Sequence, residues 1–186
     1  VFKDVTELDE EGNPVINTVG EPLGGAEALG VQGEGRKGIL IVSEELTQYG
    51  QNMEQVFVGQ ERKLLKSALA EVGLDLDKDC WSVNAVRGYR PGKDKKTLGT
   101  AVKACRHMLH ADIERLQPKA TLVLGFRGLS AIIGDKMSIT DKYLKFEGEV
   151  IPDQDLLTHI VPTFSTRDFV WMLDKRKSQI EGWKKA

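Results

Sequence analysis

The stretch Gly38-Ile39-Leu40-Ile41-Val42, followed by an acidic turn, decides how the chain can fold. It is a short apolar run rich in β-branched residues, which is typical of a strand buried on both faces. Similar runs occupy residues 81–86 and 120–125, and helical patterns cover residues 60–72 and 97–117. This alternation predicts an α/β fold, a three-layer α/β/α sandwich with a mostly parallel central sheet.

Polar and aromatic side chains fall near the ends of these strands. Glu44 lies just past the first strand, Asn84 lies near the end of the second, and Phe126 follows the third. In open parallel sheets, ligands bind in the crevice outside the carboxyl ends of the strands. We therefore expect the functional site at this edge of the sheet.

The composition is that of one globular domain with a separate acidic segment. The 186 residues carry a net charge of −2, but residues 1–35 contain eight acidic side chains and one lysine. We predict an acidic, Gly-rich N-terminal arm over residues 1–35 and one domain over residues 36–186. No apolar run approaches the roughly 20 residues that span a bilayer, and the first residues do not resemble a signal peptide. We expect a cytoplasmic protein without a membrane partner, and a monomer.

The cysteines and one glycine motif do not indicate a cofactor. Cys80 and Cys105 are too few for a disulfide framework or a four-thiolate metal site, and we expect both to be buried free thiols. Gly33-Glu34-Gly35-Arg36-Lys37-Gly38 matches the GxGxxG pattern of dinucleotide-binding proteins, but it precedes a strand instead of following one. We interpret it as a turn, and we expect neither a metal nor an organic cofactor.

Several short motifs occur in an order that resembles a known family. They are Val42-Ser43-Glu44-Glu45-Leu46-Thr47, Val56-Phe57-Val58-Gly59 before Leu64-Leu65, Val83-Asn84-Ala85-Val86, Arg90-Pro91-Gly92, Pro118-Lys119-Ala120-Thr121-Leu122-Val123-Leu124-Gly125 and Val161-Pro162-Thr163-Phe164-Ser165. Over residues 33–175 they resemble the uracil-DNA glycosylase superfamily, and most closely its family 4, the iron–sulfur type. The resemblance implies a protein that binds DNA, flips a pyrimidine out of the helix and hydrolyses its N-glycosidic bond in base excision repair.

The resemblance assigns roles to three residues. Glu44 falls where the family has a carboxylate that orients or activates the attacking water; the alternative is an exposed acid at a strand end. Asn84 falls where the pyrimidine edge is read, a task that suits a carboxamide because it both donates and accepts; the alternative is a cap on a turn. Phe57 falls where a ring stacks on the flipped base, but a core Phe would look identical in sequence.

The chain departs from the family at positions that carry its chemistry. Ser165 occupies the position of a His that stabilises the leaving base, and losing such a donor lowers the rate by the order of 10² or more. The alternative role of Ser165 is to cap the last helix. Leu46 and Thr47 replace a Pro and a Gly after the acid, and Gly88 replaces a cluster cysteine. Because Cys105 alone remains, we do not expect an iron–sulfur cluster.

A basic loop follows the strand that carries Asn84. It combines five basic residues with one aromatic residue, and we predict that it contacts DNA, with Arg167 as a further phosphate contact after the last strand. The alternative is an ordinary solvated surface. The predicted DNA-contacting residues of the loop are Arg87, Tyr89, Arg90, Lys93, Lys95 and Lys96.

Two functions are compatible with this sequence. The first is a uracil-DNA glycosylase-type hydrolase that acts on uracil-containing DNA, single- or double-stranded. The second is a degenerate member of the fold that has lost catalysis and serves as a DNA-binding or protein-interaction module. The space between Phe57 and Asn84 distinguishes the two, because a base cannot enter if Leu46, Thr47 or Tyr49 fills it.

Overall fold

The computed structural model of the chain describes residues 28–88, 95–134 and 146–166. Most of the predicted N-terminal arm lies outside these residues. Among the described helices, none combines the length and the apolar character needed to cross a membrane. The described elements are, in chain order, β1 (Ile39–Glu45), α1 (Gln48–Met53), α2 (Gly59–Glu71), β2 (Cys80–Val86), α3 (Lys95–Leu116), β3 (Ala120–Leu124), α4 (Phe126–Ile133), β4 (Ile151–Asp153) and β5 (Thr158–Thr163).

The strands form one sheet with the order β2-β1-β3-β5-β4. Strand β1 pairs in parallel with β2 and β3, and β3 pairs in parallel with β5, whereas the short β4 is antiparallel to β5. Helices lie between the parallel strands in sequence, because a parallel pair needs a crossover connection. The predicted α/β sandwich with a mostly parallel sheet is confirmed.

Strand β1 is longer than its apolar run predicts. The ladder with β2 continues past Val42, with Ser43 opposite Asn84 and Glu45 opposite Val86. The predicted acidic turn is therefore the last part of the strand. This difference matters because residues in a strand have a defined face, whereas residues in a turn do not.

Two clusters of buried side chains lie on opposite faces of the sheet. We call the first the α3–α4 face, because it packs against α3 and α4, and the second the α2 face, because it packs against α2. Leu40 and Val42 of β1 belong to the α3–α4 face and Ile41 belongs to the α2 face, as the alternation along a strand requires. The helices contribute Cys105, Leu109, Ile113, Leu129 and Ile132 to the first face, and Leu65 and Leu69 to the second.

The residues before β1 cover the outer edge of β2. Gln32 and Ser82 form an antiparallel bridge in which each backbone N–H donates to the other carbonyl, at 2.9 and 2.7 Å. The predicted turn at the GxGxxG pattern is confirmed, since the Gly38 N–H donates to the Gly35 carbonyl at 2.9 Å. Gly35 has a φ of +65°, and a Cβ there would lie 1.9 Å from the Trp81 ring, so only glycine fits.

Both cysteines are free and buried, as predicted. Burial, together with the negative charges of Asp79 and Asp75, raises the pKa of the Cys80 thiol to about 12. Cys80 packs in the α2 face and Cys105 in the α3–α4 face, so both are core side chains. Within the described residues, no group of three or more His, Cys, Asp and Glu side chains is placed to hold a metal ion.

Candidate functional site

The parallel strands β1, β2, β3 and β5 end at one edge of the sheet. Glu44 and Asn84 lie near the ends of β1 and β2, and Ser165 lies just beyond the end of β5. The Gly125 N–H donates to the Thr163 carbonyl at 2.8 Å, which joins the end of β3 to the end of β5. The structure therefore brings the three predicted catalytic residues to the edge where a ligand is expected.

The Asn84 side chain is buried at this edge of the sheet. The residue is 1% exposed, and among the described residues neither its Nδ2 nor its Oδ1 has a hydrogen-bond partner. Leaving a buried donor or acceptor unsatisfied costs about 1–3 kcal/mol, so most buried side-chain amides have partners. The amide therefore does not cap a turn after the strand. A ligand that both accepts and donates a hydrogen bond would remove this cost.

The register of the sheet fixes the face on which Asn84 lies. Asn84 is opposite Ser43, which is two residues after Ile41 of the α2 face. Val83 and Ala85, on either side of Asn84, belong to the α3–α4 face. By alternation, the Asn84 side chain lies on the α2 face.

A buried carboxamide in this state is complementary to the edge of a pyrimidine. For uracil, Nδ2 would donate to O4 while Oδ1 accepts from N3–H. With the amide rotated by half a turn, the same two atoms match the N4–H and N3 of cytosine. Because no hydrogen bond within the described residues fixes the rotation of the Asn84 amide, either of these two arrangements is open to it.

Glu44 holds the turn between β3 and α4. Its Oε1 accepts a hydrogen bond from the Arg127 backbone N–H at 3.0 Å, and its Oε2 lies 3.6 Å from Arg127 Nη1. A Cβ on Gly125, whose φ is +92°, would lie 2.5 Å from Glu44 Cδ. A carboxylate at the amino end of a helix is stabilised by the free N–H groups and the helix dipole. The Glu44 side chain is 15% exposed, so it is not the exposed acid of the alternative interpretation.

Glu45 is a candidate site residue that the sequence reasoning missed. Neighbouring side chains in a strand point to opposite faces, so Glu44 lies on the α3–α4 face and Glu45 lies on the α2 face with Asn84. Glu45 is 5% exposed. The partner of Glu45 in register, Val86, lies at the end of β2 and packs with the α3–α4 face, which departs from the alternation along β2. We therefore infer the orientation of Glu45 from the alternation along β1 and not from Val86. The sequence signal for Glu45 is the pair of adjacent acids in one strand, since two neighbouring side chains cannot both face the same site.

Phe57 is a core side chain in this structure. It is 1% exposed and belongs to the α2 face together with Ile41, Leu65 and Leu124. It therefore shares a face of the sheet with Asn84. Stacking of Phe57 on a base stays a prediction, and it requires that one side of the ring be uncovered.

The three residues that could fill the space between Phe57 and Asn84 have different surroundings. Tyr49 is exposed. Thr47 caps α1, because its Oγ1 accepts a hydrogen bond from the Gly50 N–H at 2.9 Å. Leu46 is fully buried and lies against Gly50, where a Cβ would be 2.9 Å from Leu46 Cδ1. Of the three, Leu46 is the one whose side chain is enclosed.

Ser165 lies between β5 and the start of a helix. It is buried, and the chain is helical at Thr166. Ser165 therefore holds the position of a helix N-cap, as its alternative role requires. A contact between its hydroxyl and a leaving base stays a prediction.

The first residue of the basic loop has a different role from the predicted one. Arg87 is buried, forms an ion pair with Asp112 of α3 and donates to the Met108 carbonyl at 3.3 Å. Its guanidinium joins the end of β2 to α3 and is not presented to DNA, because the fold brings an acid 25 residues away beside it. The other predicted contacts lie outside the described residues or have side chains that do: Tyr89, Arg90, Lys93, Lys95, Lys96 and Arg167.

The chain is similar in sequence to known proteins. Over 94 residues, the chain is 30% identical to a protein described as a DNA polymerase from Bacillus phage SP01. That match covers 50% of this chain and 10% of the polymerase, so the chain corresponds to a small part of that protein. The family model for the Uracil DNA glycosylase superfamily matches residues 32–185, which include the five described strands and the candidate site residues Glu44, Glu45, Asn84 and Ser165. The chain belongs to the uracil DNA glycosylase superfamily.

Proposed function

We propose that the chain binds DNA, takes a flipped pyrimidine against Asn84 and hydrolyses its N-glycosidic bond. The observation that carries the proposal is the buried Asn84 amide, which has no hydrogen-bond partner among the described residues. Membership of the superfamily supports DNA as the substrate. Base flipping explains an enclosed site, because a base stacked in the duplex cannot reach a buried amide.

Hydrolysis of the glycosidic bond needs a carboxylate and a water beside the sugar. As the bond breaks, its electron pair moves to the base and positive charge develops on the sugar; water then adds to C1′ and loses a proton. We assign the carboxylate role to Glu45, because alternation along β1 places it on the same face of the sheet as Asn84, whereas Glu44 contacts the start of α4. Glu45 would stabilise the developing charge and accept the proton from the water.

Ser165 is the proposed donor toward the departing base. A hydroxyl can donate one hydrogen bond, but it cannot carry the positive charge of an imidazolium. We therefore expect a slow enzyme, since a missing donor of this kind costs a factor of about 10² or more in rate.

The finer assignments follow the sequence motifs. We propose that the chain is closest to family 4 and acts in base excision repair as a monomer, without an iron–sulfur cluster or another cofactor, through a domain over residues 36–186. Arg87 is left out of the DNA-contacting set, because it pairs with Asp112. The proposed contacts are Tyr89, Arg90, Lys93, Lys95, Lys96 and Arg167.

A second candidate is a degenerate module of this fold that has lost catalysis and binds DNA without releasing a base. The enclosure of Phe57 in the α2 face favours this candidate, because the ring is covered on the side of the core. The serine at position 165 favours it as well, since it is a weak donor. The similarity of half the chain to part of a phage DNA polymerase supports a role for such a module beside DNA synthesis.

Uracil release distinguishes the two candidates. The substrate is a labelled oligonucleotide with one deoxyuridine, single- or double-stranded, and release is read as strand cleavage after alkali. We expect release by the wild type, a rate lower by about 10² in Glu45→Gln, and a smaller loss in Glu44→Gln, which keeps an acceptor for the Arg127 N–H. Glu149→Gln removes an exposed acid and serves as the matched control.

Each outcome of this assay has a defined meaning. Equal rates for the wild type and Glu45→Gln would remove Glu45 from the mechanism. Binding of the oligonucleotide without release would favour the non-cutting module. A protein that neither binds nor releases would reject both candidates.

A further inference from the structure

We infer that Gln32 is a positioning residue that sets the separation between Asn84 and the loop that carries Phe57. The inference rests on the proposed function, because it adds to the same base site a residue that does not touch the base. Gln32 precedes the first strand and belongs to none of the motifs that indicate the family.

The backbone of Gln32 is fixed to the strand that carries Asn84. Gln32 and Ser82 exchange two backbone hydrogen bonds, at 2.9 and 2.7 Å. Ser82 is two residues before Asn84 and has the same orientation in the strand. Further along, the Leu29 N–H donates to the Arg87 carbonyl at 3.2 Å, so this segment follows β2 to its end.

The side chain of Gln32 reaches the loop between α1 and α2. Its Nε2 donates to the Glu54 carbonyl at 2.5 Å, and its Oε1 accepts from the Val56 N–H at 3.0 Å. Both polar atoms of the Gln32 amide thus form hydrogen bonds with the backbone just before Phe57. Glu54 has a φ of +51°, which few residues other than glycine adopt, so this contact also helps to hold an unfavourable backbone conformation.

A carboxamide makes both contacts because it carries a donor and an acceptor in one planar group. A carboxylate can accept from the Val56 N–H, but it has no hydrogen to donate, so its second oxygen faces the Glu54 carbonyl oxygen without a hydrogen bond. A protonated carboxyl group has one donor and one acceptor, and it therefore reproduces the pattern of the amide. Gln32→Glu should consequently behave as a variant whose defect depends on pH, whereas Gln32→Met, which has a similar length, should be defective at every pH.

The test measures the preference of the protein for a base over no base. The preference is the ratio of dissociation constants for two oligonucleotides, one with a 2′-fluoro-deoxyuridine that resists hydrolysis and one with an abasic analogue. We expect the ratio for Gln32→Glu to fall by about three- to tenfold at pH 8 and to recover as the pH approaches 5. Wild type and Gln60→Glu, which adds a charge at an exposed position beside the same loop, should show no such recovery.

A second measurement needs no DNA. Hydrogen exchange of the Val56 amide should be faster in Gln32→Met than in the wild type, by more than the change in global unfolding explains. Protection of this amide in Gln32→Met would overturn the inference, and so would an unchanged preference in that variant. A loss in Gln32→Glu that does not depend on pH would show a merely structural role. If the wild type itself shows no preference, the proposed function fails and the inference fails with it.

Discussion

Two adjacent residues, Glu44 and Glu45, show how much depends on the face to which one side chain points. The motif resemblance selected Glu44, whose oxygens are occupied by Arg127 at the start of α4. The sequence would show which face each acid occupies only if the strand were known to continue to Glu45, and the apolar pattern ends at Val42. The lack of a hydrogen-bond partner for the Asn84 amide among the described residues could not be predicted, because such partners depend on residues distant in sequence.

At the residue scale, the first prediction concerns the stability cost of the Asn84 amide. Asn84→Leu keeps the branched shape and removes both polar atoms, which have no hydrogen-bond partner in the described part of the chain, so we expect the free energy of unfolding to rise by about 1–3 kcal/mol. Denaturant unfolding measures the change, with Asn52→Leu at an exposed position of α1 as the control. A decrease of similar size for Asn84→Leu would show that the amide has partners that support the fold.

Helix α1 illustrates, at the scale of elements, what the sequence could not predict. It has six residues, well below the roughly 12–15 at which isolated helices become marginally stable. Its stability depends on the Thr47 cap and on Gly50, which is packed where a Cβ would lie 2.8 Å from the Gln55 carbonyl. The longer helices and the buried strands were predictable, because their periodic apolar patterns extend over enough residues.

Helix α4 and the carboxylate at its start give a prediction at the same scale. Glu44→Ala removes the acceptor of the Arg127 N–H, so we expect the free energy of unfolding to fall by about 0.5–2 kcal/mol. We expect the preference for a uracil oligonucleotide over an abasic one to persist, because Glu44 and Asn84 lie on opposite faces of the sheet. Thermal unfolding and equilibrium binding measure the two quantities. A lost preference with unchanged stability would instead place Glu44 in the base site.

At the scale of the whole molecule, the strand order β2-β1-β3-β5-β4 assembles the site. Glu45 and Asn84 come from neighbouring strands, and the segment before β1 covers the edge of β2 and carries Gln32. The parallel sheet was predictable, because crossover rules leave few arrangements. The face of the sheet on which we propose the site was not predictable, since both faces are apolar. The contact between Gln32 and Val56, 24 residues apart in two irregular segments, follows no sequence pattern.

The central claim is that the buried Asn84 amide binds a flipped pyrimidine. The most direct measurement is the ratio of dissociation constants for the abasic and the 2′-fluoro-deoxyuridine oligonucleotides, in the wild type and in Asn84→Leu. Two hydrogen bonds from one amide should give the wild type a preference of at least about tenfold for the base, and Asn84→Leu should reduce the ratio to nearly one. The same ratio in both proteins would contradict the claim.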